Sequence, residues 1–117
     1  MSMLRPFIPA RDHGRSRSFY EALGFLVEYA DDSIAVMSNG DASFLLQNFY
    51  VKELAENFMV QLVVSDCQEW WHRHNPAAVA ERFGAPAPTA PAVQPWGLTV
   101  GFVHDPSGVL WHITERS

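Results

Sequence analysis

Few side chains in this protein could do chemistry, and their spacing limits what that chemistry is. In "VLWHIT" a strand's alternation puts Val109, Trp111 and Ile113 on one face and Leu110, His112 and Thr114 on the other. An imidazole on a definite strand face can ligate a metal, take a proton or hydrogen-bond in a pocket, or it can simply bond a backbone carbonyl. His72 and His74 are two apart in "CQEWWHRH", where helical side chains diverge, so they do not form a ligand pair. His104 precedes the turn "DPSG" and shares parity with Val100 and Phe102, so it meets His112 only if the hairpin register allows. His13 stands beside Asp12 in a loop. Cys67 falls near a helix start, where the dipole favours a thiolate, yet no histidine is paired with it in sequence, and a structural thiol is the stronger reading. The sequence contains no Gly-x-Ser-x-Gly elbow and no Gly-rich phosphate loop. Gln61 alternates with Met59 and Val63 in "MVQLVV", which places an amide among aliphatic neighbours. That amide needs either a pocket partner or a core hydrogen bond.

The elements that must position these residues repeat. "MLRPFIPA" is a short apolar strand whose prolines bar a helix. Asp12 caps a helix carrying Phe19, Tyr20 and Leu23 at three-to-four spacing, and Gly24 ends it. "FLVEYA", "SIAVMS" and "ASFLLQNF" read as strands, with Asn39-Gly40-Asp41 as a hairpin turn. A linker, "YVKELAENF", leads to the strand "MVQLVVSD". Asp66 with Glu69 has the form of a capping box opening a second helix, which Pro76 interrupts and Gly84 closes. "APAPTAPAVQP" is extended, as a loop or a poor edge strand. "WGLTVGFVHD" and "VLWHIT" form a hairpin through Asp105-Pro106-Ser107-Gly108. Strand, Asp, helix and strands thus occur twice, giving a βαβββ module over about 1–50, a linker over about 50–57 and a second module over about 58–117.

Composition sets outer bounds. A chain of 117 residues is one domain by length, and 48% hydrophobic with 18% charged residues is a globular composition. A formal charge of −5 argues against a nucleic-acid surface, which needs clustered Lys and Arg; Arg5, Arg11, Arg15 and Arg17 read instead as a solvated group. One cysteine excludes an internal disulfide, and the apolar runs fall far short of the ~20 residues that a spanning helix needs. The start "MSMLRPFIPARD" lacks the pattern of a signal peptide, so a cytoplasmic protein with no membrane partner is expected.

"FIPARD", "SRSFYEALGF" and "WGLTVGFVHDPSGVLWHI", in this order and spacing, resemble the vicinal oxygen chelate superfamily of glyoxalases, bleomycin resistance proteins and extradiol dioxygenases. The resemblance spans nearly the whole chain. It implies an α+β fold of two βαβββ modules forming an open curled barrel, and a homodimer. Its enzymes hold a divalent metal with His and Glu from the first and last strands of each module, positions that fall here on Arg5, Met59 (with Gln61 two residues on) and His112. Arg cannot donate a lone pair, a Met thioether suits soft metals, and a Gln carbonyl is a weak donor. One His does not make a site.

The resemblance, with that donor set, implies a metal-free protein that binds a small organic ligand in a cleft of a homodimer, in the manner of antibiotic-resistance members. The alternative is a metal-dependent lyase or dioxygenase. Expected ligand contacts are Arg5, Gln61 and His112, with Phe49 and Trp96 as aromatic walls. Each has a plainer reading: Arg5 reaching water, Gln61 and His112 bonded within the core, and the aromatics packing. Of Trp70 and Trp71, one packs on the sheet and the other lies at the surface.

Overall fold

Capping chemistry marks where the helices begin. In the computed structural model, which describes residues 2–116, the Asp12 carboxylate accepts from the backbone N–H of Arg15 and opens helix α1 (His13–Ala22). Gly24, at φ +95°, turns the chain out of it. Asp66 does the same for helix α3 (Cys67–His74) by accepting from Glu69 N–H. The Glu69 carboxylate does not reach back to complete a capping box; it pairs with Arg73 one turn on. Asn75, in the left-handed region at φ 45°, closes α3 and caps α4 (Pro76–Phe83), whose first position is proline. The expected linker holds a further short helix, α2 (Lys52–Asn57). No side chain caps it, and its one buried residue is Ala55, so its sequence carried no start signal and packing decides it.

The strands are β1 (Phe7–Pro9), β2 (Leu26–Ala30), β3 (Ile34–Asn39), β4 (Ala42–Gln47), β5 (Met59–Val64), β6 (Thr89–Val93), β7 (Thr99–His104) and β8 (Leu110–Glu115). They form two four-stranded sheets, ordered β1-β4-β3-β2 and β5-β8-β7-β6, and neither closes into a barrel. In each sheet the module's first strand runs parallel to its last, and the other pairs are antiparallel. The proline-rich segment does supply an edge strand, β6, whose register slips between Thr89 and Ala92. An edge tolerates Pro91 because a ladder bond is missing there anyway.

Each sheet has one face against helices and one open face. In the second sheet Val60, Leu62 and Val64 pack on the core alongside Trp111 and Ile113, as strand parity requires. Gly101 shares that face, and a Cβ on it would stand 2.5 Å from Trp71 Cζ3. Trp70 is buried and Trp71 half-buried over this glycine, so neither is a free surface aromatic. Gly101→Ala is expected to destabilise by about 1–3 kcal/mol through overpacking, measurable as a lower urea midpoint at unchanged m-value.

The two modules are tied by one buried polar chain. Tyr20 Oη donates to Asp105 Oδ2 at 2.6 Å and accepts from Trp111 Nε1 at 2.9 Å. Asp105 Oδ1 accepts from Ser107 N–H and Val109 N–H, which sets the Asp-Pro-Ser-Gly turn. The Arg11 N–H donates to Ser107 Oγ at 2.9 Å, docking that turn beside the start of α1. Around the chain, the rings of Phe25, Phe44, Tyr20 and Trp111 meet edge-on or tilted at 4.9–5.8 Å.

Candidate functional site

Arg5 lies just before β1, is exposed, and donates from Nε to Ser43 Oγ at 3.1 Å. Among the described residues it meets no carboxylate in a salt bridge, and exposure lets water solvate it. With Glu28, Ser38, Asp41 and Ser43 it lines an open depression of about 670 Å³. A second cavity of about 200 Å³ shares Leu4, Asp41 and Ser43 with the first and continues to Phe25, Phe44, Gln61 and Trp111. One end is thus polar, with two carboxylates and an arginine. The other is aromatic, formed where the two sheets approach.

Gln61 stands at that aromatic end, exposed, so its amide can reach water rather than needing a core bond. It pairs across β5 and β8 with His112, and Phe102 pairs with His112 from β7. The Phe102 ring packs on the imidazole at 4.9 Å and 75°. His104 pairs with Leu110 and does not face His112, so the hairpin makes no histidine pair. His112 makes no hydrogen bond through Nε2, although that atom is buried. Its plainer reading, a backbone-bonded imidazole, is not what that nitrogen does.

Phe49 and Trp96 are exposed at 48% and 59%. Phe49 follows β4, where its carbonyl accepts from Ala10 N–H, and Trp96 sits on the Gln94–Gly97 turn between β6 and β7. The structure brings Gln61 and His112 together and joins Gln61 to Arg5 through the depression. Phe49, Trp96 and His112 line neither of its two cavities. Sequence reasoning missed Phe102 as a neighbour of His112. Parity marks Thr114 as sharing its face, but Phe102 becomes visible only with the hairpin register.

The donor set does not fit a metal. Arg5 is engaged with Ser43, Met59 and Gln61 are exposed on the open face, and among the described residues no three of His, Cys, Asp or Glu converge on one point. Cys67 is not a poised nucleophile. It is buried, its thiol donates to Ile113 O at 2.9 Å, and burial pushes its pKa up rather than down. His13 is likewise structural, buried with Nε2 3.0 Å from Leu46 O. No helix among the described residues is long and apolar enough to cross a membrane.

Comparison with known proteins agrees with this architecture. Residues 3–113 match the profile of the Glyoxalase/Bleomycin resistance protein/Dioxygenase superfamily. A bleomycin resistance protein from Klebsiella pneumoniae is 30% identical over 116 residues, covering 95% of this chain and 90% of its own. A bleomycin-binding protein solved in complex with bleomycin superposes with a TM-score of 0.81 at 25% identity over the full length of both chains. A bleomycin resistance determinant encoded on the transposon Tn5 superposes at 0.80, also at 25% identity, over 100% of this chain and 99% of its own. By sequence and by fold, the chain belongs to the Glyoxalase/Bleomycin resistance protein/Dioxygenase superfamily.

Proposed function

We propose that this protein binds bleomycin or a closely similar small organic antibiotic and confers resistance by sequestration, as a homodimer and without a metal of its own. The observation that carries the reading is the depression itself. It joins an acidic, hydrogen-bonding end at Glu28 and Asp41 to an aromatic end at Phe25, Phe44 and Trp111, in a chain related to bleomycin resistance proteins. Such a cleft suits a ligand that carries both a cationic or polar part and a flat aromatic part. Sequestration needs affinity and no reacting group, which matches a site with no activated nucleophile and no set of metal donors.

Dimerisation is supported by the open faces of the sheets. Phe7, Leu26 and Tyr29 on the first, with Met59 and Val63 on the second, are all exposed, and a second copy would cover them. A cleft only half-enclosed by one chain would then be completed by its partner.

Titrating purified protein with bleomycin while following tryptophan fluorescence tests this directly. Saturable quenching with a dissociation constant of about micromolar or tighter is expected, with increased survival of a sensitive bacterium expressing the protein. No spectral change and no protection would remove the proposal. Incubation with zinc, nickel, manganese or ferrous iron is expected to leave less than stoichiometric metal, and chelator is expected to leave antibiotic affinity unchanged. A stoichiometric metal lost on His112→Ala would instead support the lyase or dioxygenase alternative.

A further inference from the structure

Among the described residues two buried side-chain polar atoms have no hydrogen-bond partner, His112 Nε2 and Thr114 Oγ1. They are not scattered. Both sit on β8, two residues apart, and strand parity puts them on the open face that Gln61 and Phe102 share. A buried donor or acceptor left unmade is costly, and replacing a hydroxyl by a methyl at such a place would remove that cost. Thr114 is only 3% exposed between Val63 and Val100, in a setting where valine would fit the same space. The sequence therefore keeps two polar groups that no partner among the described residues satisfies.

We infer that His112 Nε2 and Thr114 Oγ1 form a covered polar receptor for a neutral hydrogen-bonding group of the bound ligand, and that Phe102 is the residue that moves aside to uncover it. The inference rests on the ligand-binding reading above and extends it to three residues that line neither cavity, His112, Phe102 and Thr114. A neutral group follows from the surroundings. The residues paired with His112 and Thr114 across the sheet are Gln61, Phe102, Val63 and Val100, none of them charged, so an ion placed between the two would be buried without a counter-charge among them. A hydroxyl both donates and accepts, and a neutral imidazole nitrogen does one or the other according to tautomer, so an amide or hydroxyl can satisfy both. Phe102 is half-buried, packs edge-on against the imidazole, and stands on β7 opposite Thr89, a small exposed residue of the edge strand β6. A rotamer change in a half-exposed ring beside such a neighbour needs no movement of the core.

Thr114→Val separates this from a structural role, because the two give opposite signs. A receptor hydroxyl predicts an unchanged or raised melting temperature together with about tenfold weaker bleomycin binding, the loss of one hydrogen bond. A structural hydroxyl predicts a lowered melting temperature. Carbethoxylation of the histidines, mapped by mass spectrometry without ligand, tests the cover. His112 should react more slowly than the exposed His72 in the wild type, faster in Phe102→Ala, and more slowly again in that variant with bleomycin bound. Wild-type binding with Thr114→Val unaffected, a lowered melting temperature in that variant, or His112 reacting as fast as His72 would each overturn the inference alone. Failure of the wild type to bind bleomycin would overturn the parent reading and this one with it.

Discussion

Asp105→Ala is expected to lower the unfolding free energy by about 3–5 kcal/mol, one of the two largest losses from a single substitution in this chain. The carboxylate is fully buried and accepts from Tyr20 Oη, Ser107 N–H and Val109 N–H. Removing it leaves three donors without an acceptor in a place water does not reach. It also frees the turn whose Ser107 holds the start of α1, so the two modules loosen together. Asp105→Asn keeps an oxygen for two of these donors and should cost less, about 1–2 kcal/mol. Urea unfolding of the three proteins checks the order; equal midpoints for wild type and Asp105→Ala would show that the network contributes nothing to stability.

The same residues give the protein a pH signature. Burial raises the Asp105 pKa above the ordinary carboxylate range, against the lowering effect of its hydrogen bonds to Tyr20, Val109 and Ser107. In the window between the ordinary and the raised value the folded state keeps a proton that the unfolded state has lost. Stability from this group is therefore fully present in acid and falls as pH rises through that window. Tyr20 is raised well above its usual value, first by burial and then by the charge of Asp105. Above about pH 10 the unfolded tyrosine ionises while the folded one does not, which removes about 1.4 kcal/mol per pH unit. Tyr20→Phe should abolish that alkaline component, and Asp105→Asn the acid one.

Trp111→Ala is expected to cost about 3–5 kcal/mol as well, for a different reason. Its ring is packed against Tyr20, Phe25 and Phe44 within 5.6 Å between centroids, and its indole N–H is bonded to Tyr20 Oη. Deletion leaves a cavity among rigid rings that cannot collapse to fill it. Trp111→Phe restores most of the contact and should recover most of the stability while leaving Tyr20 Oη without its donor. Because Trp111 also lines the aromatic end of the depression, both variants should weaken bleomycin binding. Calorimetric melting temperatures with matched fluorescence-independent titrations separate the two effects, and unchanged affinity in a folded Trp111→Phe protein would place the ligand elsewhere.

Local chemistry made much of the fold legible before any coordinates. Asp12 and Asp66 announce helix starts because a short acceptor can reach the free N–H groups only there. Gly24 and Gly84 announce stops because only glycine takes those dihedrals cheaply. Strict alternation in "MVQLVV" and "VLWHIT" assigned the faces of β5 and β8 correctly. Helix α2 was not legible, since six residues without a cap are held by packing alone.

The site divides along the same line. Sequence by itself determined what Arg5, Met59, Gln61 and His112, the residues that the resemblance sets at the family's metal positions, can donate, because donor chemistry is a property of residue type. It also determined that His112 and Thr114 share a face. Tertiary structure alone decided which residues stand beside them. Register is set by cross-strand pairing between segments far apart in sequence, so only the folded hairpin puts Phe102, and not His104, against His112. It alone decided that Asp105, which reads as an ordinary turn residue, is buried and bonded to a tyrosine 85 positions earlier. Burial and long-range contact arise from packing against the whole chain, and no local pattern encodes them.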